Sequence, residues 1–176
     1  NISLDMVNGA SFDLILGSSD HIKISGDIEL NASHDSAVIL SGDVDGSSLH
    51  SIRVSALGSS HSTVNLSGNI TVDGLIEISD WHSGNASLNL ESVHFENTDL
   101  ILRNGSFNYS FSTGNINNFS ASVYGSSDFG ASPVERRGYF ETEINGNITL
   151  ETIYNGSLNL TLLDVNSLGN DITLIS

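Results

Sequence analysis

The sequence predicts an all-β protein, a right-handed parallel β-solenoid, and three observations carry that prediction. A short phrase recurs: Ile24-Ser25-Gly26-Asp27-Ile28, Leu40-Ser41-Gly42-Asp43-Val44, Leu66-Ser67-Gly68-Asn69-Ile70 and Ile144-Asn145-Gly146-Asn147-Ile148. Leu40 to Leu66 is 26 residues, Leu66 to Ile144 is three such steps, and Ile24 to Leu40 is only 16. Loose self-similarity at this spacing belongs to stacked repeats rather than to one globular core. Apolar and polar residues alternate almost throughout, as strands with two unlike faces require, and no segment carries a 3.6-residue apolar stripe. Pro133 is the only proline, so nearly every backbone N–H is free to join a ladder.

The strands follow in order from the alternation. It runs through Phe12–Leu16, His21–Ile24, Ser51–Val54, Thr63–Leu66 and Leu75–Ile78. It resumes in Ala86–Leu90, Asp99–Leu102, Phe107–Phe111, Gly146–Leu150 and Ser157–Leu162. Gly, Asn, Ser and Asp separate these runs, and the Gly-Asn/Asp pair of the repeated phrase suits a solenoid corner. At about 22 residues per rung the chain would form roughly eight rungs. Leu66, Ile70, Ile144 and Ile148 should then point inward. An antiparallel β-sandwich is the alternative, because Asn8-Gly9, Asn104-Gly105, Asn145-Gly146 and Asn155-Gly156 are preferred hairpin-turn pairs. The rhythm breaks between Gly114 and Gly138, where the proline, the pair Arg136-Arg137 and several aromatics gather; an irregular loop region is expected near 114–138. The reading is thus one solenoid domain over residues 1–176.

Composition narrows the function. A formal charge of −16 with only five basic residues opposes binding to nucleic acid or to anionic membranes. No apolar run reaches the roughly 18–20 residues of a membrane helix, so no membrane insertion is expected. The absence of cysteine suits a chain exported through an oxidising compartment. The chain begins at Asn1 and stops inside an apparent strand, and is read as a fragment of a larger protein.

Asn-x-Ser/Thr occurs at Asn1, Asn31, Asn65, Asn69, Asn85, Asn104, Asn108, Asn118, Asn147, Asn155 and Asn159. Strand alternation explains part of this, because residues i and i+2 share a face. The mirror pattern, Ser or Thr two residues before Asn, gives seven matches against these eleven, so an excess remains. Apart from Asn1, these residues are the candidates for N-linked glycosylation.

The phrasing around Leu66–Val72, Gly146–Leu150 and Asn155–Thr161 resembles the passengers of bacterial two-partner-secretion exoproteins, of the high-molecular-weight adhesin and filamentous haemagglutinin type. The resemblance extends in texture over most of the chain. It implies a right-handed β-helix, export through an outer-membrane secretion pore to the bacterial cell surface, attachment to a host-cell glycan or glycoprotein, and sugar added to Asn before export. The expected function needs no cofactor and no catalysis.

The remaining candidates are few. Arg136 and Arg137 are the only adjacent cations, and with Tyr124, Phe129 and Tyr139 nearby they are the receptor-binding candidates for an anionic sugar. Asp43 with Asp45, and Glu141 with Glu143, are i,i+2 carboxylate pairs that could serve a carbohydrate-active β-helix enzyme, the alternative function; a purely structural stalk is another. No metal-ligand spacing links the six histidines. Trp81 could stack on a sugar, or fill a buried corner.

Overall fold

The computed structural model describes residues 1–17, 22–82, 84–103, 108–124, 137–141, 143–144, 148–153, 159–163 and 172–175; beyond residue 103 it gives the backbone and, of the side chains, Ser120. These residues form fourteen strands and no helix. They are β1 (Ile2–Met6), β2 (Ser11–Leu16), β3 (Ser25–Ser33), β4 (Ala37–Asp43), β5 (Ser48–Leu57), β6 (His61–Ser67) and β7 (Ile70–Trp81). There follow β8 (Asn85–Arg103), β9 (Asn108–Tyr124), β10 (Arg137–Glu141), β11 (Glu143–Ile144), β12 (Ile148–Ile153), β13 (Asn159–Leu163) and β14 (Ile172–Ile175).

Every pairing among them is parallel, and no two of these strands form an antiparallel hairpin. The protein is a parallel β-solenoid, and the antiparallel sandwich falls. One wall runs β1-β3-β5-β7 and continues through the end of β8 to β9, β12 and β14. The facing wall runs β2-β4-β6 and the start of β8. A short third side joins them, where Leu49 lies beside Val72 and Val72 beside Phe95.

The rung length is set by the register. Ile28 lies beside Ile52, Ile52 beside Ile76, and Ile76 beside Leu100, so a rung is 24 residues here. It is 26 between Ile2 and Ile28 and 21 between Leu100 and Ala121. The repeated phrase therefore marks corners, but not one and the same corner. Gly42 sits beside Leu66, while Gly26 sits beside Leu49 on the third side. The interval of 16 between the first two copies is a step from corner to corner within one turn. The copy at Asn145–Asn147 lies outside the described residues.

Alternation does the packing. Ile28, Leu30, Ile52, Val54, Ile76 and Ile78 project inward from one wall, Leu40, Val64 and Leu88 from the other, and each is fully buried. Leu66 and Ile70 are buried as expected, at 2% and 1% exposure; the side chains of Ile144 and Ile148 lie outside the described residues. Burial of these β-branched and Leu side chains contributes about 1.5–3 kcal/mol each. The strand expected over His21–Ile24 starts later, at Ser25. Ile24 belongs to the preceding corner, where its N–H donates to the buried Ser47 hydroxyl (2.8 Å) and its carbonyl accepts from Ser48 (3.0 Å). Gly114–Tyr124, expected in the irregular region, continue β9 in register with β8; 125–136 lie outside the described residues.

Asn8 and Gly9 do adopt the paired left-handed conformation of a hairpin turn (φ 57° and 76°), yet β1 and β2 pair with β3 and β4 instead. The pair turns a solenoid corner. His34 and Asp35 (φ 56° and 62°), then Gly58 and Ser59 (φ 63° and 55°), repeat it one and two rungs on. The ladder continues around this bend: Gly9 N–H donates to His34 carbonyl, His34 to Leu57 and Gly58 to Trp81. Rung-to-rung bonding thus compensates the left-handed strain of about 1–2 kcal/mol at each non-glycine residue. Ser36 and Ser60, both buried, close their own turns by donating to the carbonyls of Ser33 and Leu57 (2.7 Å each).

Two outcomes test this account. Ile76→Ala opens a void between stacked rows and should cost about 2–5 kcal/mol by urea denaturation, whereas Ile15→Ser, at 74% exposure, should stay within about 0.5 kcal/mol. Among the corner glycines, Gly58 has open space for a β-carbon, so Gly58→Ala should cost only the left-handed term, about 1 kcal/mol. At Gly74 (φ 144°) a β-carbon would fall 2.2 Å from the His50 carbonyl oxygen, so Gly74→Ala should cost clearly more.

Candidate functional site

The outward positions of each wall form rows that run from rung to rung. On the β3-β5-β7 wall, Asn31 donates to Asp5 (2.6 Å) and to Glu29 (3.2 Å) and accepts from the Ser55 hydroxyl (2.5 Å). Beside it, Arg103 Nε donates to Glu77 (2.8 Å), and Arg53 Nε lies 3.8 Å from the same carboxylate. Ser51 donates to Asp27 (2.7 Å), and Ser120 donates to Asp99. Register-matched polar partners of this kind let a chain of −16 stack carboxylates without setting them directly against each other.

The facing wall is shaped differently. Ser41, Asn65 and Asn89 succeed one another outward along β4, β6 and β8, and Asn89 Nδ2 donates to Asn65 Oδ1 (2.6 Å). Asp43 lies beside Ser67 one rung on, and Glu91 continues that edge on β8. Between the two rows is an open groove of about 780 Å³, lined by Gly42, Asp43, Asn65, Leu66, Ser67, Asn89, Leu90, Glu91 and Ser92. Its walls are amides, hydroxyls and two carboxylates, Leu66 and Leu90 beneath it are turned into the core, and none of these lining residues is a cation. Asp43 and Asp45 do not share a strand face: β4 ends at Asp43, and Asp45, in the corner beyond, accepts from the Asn69 N–H (2.9 Å). Glu141 and Glu143 end β10 and begin β11. Among the described residues no three His, Cys, Asp or Glu side chains converge as a metal site.

The sequon asparagines divide into distinct settings. Asn31 and Asn65 are half-buried ladder members with amide atoms committed to neighbouring rungs. Asn69 and Asn85 are exposed beside corners. Asn1 is exposed and accepts from the Asp27 N–H (3.1 Å). Asn108, Asn118 and Asn159 stand on strands β9 and β13, and Asn104, Asn147 and Asn155 lie outside the described residues. Of the receptor-binding candidates, Tyr124 ends β9, while Arg137 and Tyr139 stand on β10 beside Asn159 and Thr161; Arg136 and Phe129 lie outside the described residues. Trp81 occupies a corner but is not buried: it is 48% exposed beside the exposed Leu57. His34, His50, His61 and His82 are exposed, and His94 Nε2 lies 2.8 Å from Glu96.

Sequence reasoning missed the groove. Asn89 is in no sequon, and Asp43, Ser67 and Glu91 share no local motif. Their signal was the common interval of 24 residues, which the loose spacing of the repeated phrase concealed.

No protein-family model, curated protein or solved structure matches this chain.

Removing one Asn from a row should be felt through the partners it abandons. Asn31→Ala leaves Asp5 and Glu29 adjacent without their shared donor, and should cost about 1–2 kcal/mol by urea denaturation.

Proposed function

We propose that this chain is part of a secreted bacterial surface adhesin that attaches to host-cell glycoconjugates without catalysis. The supporting observation is the groove between the Asn65–Asn89 row and the Asp43–Ser67–Glu91 edge. It sits on strands held by ladders on both sides, so hydroxyl-rich ligands would meet amides and carboxylates already in place. Export through an outer-membrane pore fits a solenoid whose rungs bond chiefly to the next rung, because such a chain gains structure stepwise as it emerges.

In this proposal sugar is carried by exposed sequons and not by ladder members. Asn69 and Asn85 present their side chains to solvent, whereas a glycan on Asn31 would remove a donor from Asp5. Mass spectrometry of peptides from natively produced protein should find modified Asn69 or Asn85 and unmodified Asn31 and Asn65. Complete absence of sugar would end the glycoprotein part of the proposal. Adhesion itself is read by binding of the purified chain to host cells before and after enzymatic removal of their surface glycans; binding that survives deglycosylation would overturn it.

A second reading, a carbohydrate-active enzyme, has one specific observation in its favour. Asp43 and Glu91 flank the same groove two rungs apart, about 10 Å along the stack. That is near the upper end of the separations at which paired carboxylates hydrolyse a glycosidic bond with inversion. Release of reducing ends from an oligosaccharide, abolished by Glu91→Gln, would favour it over adhesion.

A further inference from the structure

We infer that the groove takes an uncharged glycan chain lying parallel to the solenoid axis, spanning at least the two rung steps from Asp43 to Glu91. This rests on the proposed attachment to glycoconjugates and adds both the place and the ligand class.

The groove's chemistry repeats along the axis. Successive rungs are about 4.8 Å apart, close to the advance of one hexopyranose unit in an extended chain. Each step offers an outward polar group: an amide at Asn65 then Asn89 on one side, and carboxylate, hydroxyl and carboxylate at Asp43, Ser67 and Glu91 on the other. An amide supplies both a donor and an acceptor, while a carboxylate only accepts. Sugar hydroxyls can do either, so a polyhydroxyl chain satisfies both rows in one register. The Asn89-to-Asn65 bond uses one N–H of Asn89 and the carbonyl of Asn65, and leaves Asn65 Nδ2, Asn89 Oδ1 and the second N–H of Asn89 for a ligand. Leu66 and Leu90, at 2% and 1% exposure, offer a pyranose almost no apolar surface, so recognition rests on the two polar rows.

Charge selects among glycans. The lining holds two carboxylates and no cation, on a chain of net −16. Sialylated or sulfated sugars would bring negative charge beside Asp43 and Glu91 with no cation in the lining, and like-charge repulsion would weaken them. The anionic ligand expected for Arg136 and Arg137 therefore does not suit this site.

The test uses the full chain and linear neutral hexasaccharides, cellohexaose and laminarihexaose, with the matching disaccharides, sialyllactose, a heparin hexasaccharide and hexalysine as comparison probes, read by calorimetry. Ser67→Tyr fills the groove from its half-buried rim, Asn89→Ala removes one of its two amides, and Ser79→Tyr places the same bulk on the other wall. Circular dichroism establishes that each variant is folded. The expected result is binding of a neutral hexasaccharide, stronger than that of its disaccharide and unchanged between about 0.05 and 0.5 M salt. Ser67→Tyr and Asn89→Ala should weaken it roughly tenfold or more, and Ser79→Tyr should not. Binding of sialyllactose, heparin or hexalysine in place of the neutral chains would overturn the inference, as would neutral-glycan binding that Ser67→Tyr leaves intact. Failure of every neutral probe would also overturn it. Host-cell attachment by the same wild-type preparation then shows whether the adhesion reading stands without the groove.

Discussion

In a parallel ladder the backbone amides and carbonyls of one rung bond to the rungs before and after it, and this single constraint organises the molecule. Adjacent strands lie about 4.8 Å apart in this arrangement, so equivalent side chains stack in rows whatever their chemistry. Inward rows such as Ile28-Ile52-Ile76 become a continuous core, and outward rows such as Asp5-Asn31-Ser55 become hydrogen-bonded ladders. The corners obey the same rule. The left-handed residues Gly9, His34, Asp35, Gly58 and Ser59 are tolerated because their N–H groups find carbonyls one rung on.

Stacking like upon like is unfavourable for charges, and the outer surface shows how the chain manages this. Glu29, Arg53 and Glu77 alternate in sign at successive rungs, and Arg103 reaches back to Glu77. Because these side chains are partly exposed, such pairs contribute little net stability; their effect is to avoid repulsion between rungs. The groove wall follows another rule, with neutral amides in one row and carboxylates separated by Ser67 in the next. A polar surface with repeat spacing is thereby held open, while the other wall's polar groups are more fully engaged with each other.

The rigidity of the stack matters for recognition. Strands β4, β6 and β8 carry the groove, and each is bonded to its neighbours along most of its length. The Asn65 and Asn89 side chains are further fixed by their mutual bond. A ligand binding there would lose its own freedom but order little of the protein, which favours affinity from a shallow surface.

The sequence by itself determined the fold class and much of the core. Alternation in Thr63–Leu66 and Leu75–Ile78 is a local property, and the burial of Val64, Leu66, Ile76 and Ile78 follows directly from it. It also marked the corners, since Gly26, Gly42 and Gly68 stand where strands bend or end. It did not fix the register. The copies of the phrase at Gly26 and Gly42 look alike yet occupy different corners, because a bend needs the same residues wherever it falls. Nor could the sequence separate Asn69, exposed at a corner, from Asn65, bound into a row, since both sit in the same local motif. That distinction, and the meeting of Asp43, Asn65, Asn89 and Glu91 around one groove, depends on which residues lie 24 positions apart across the ladder. Only the stacked tertiary structure brings those positions together, because the contact is made between rungs and not along the chain.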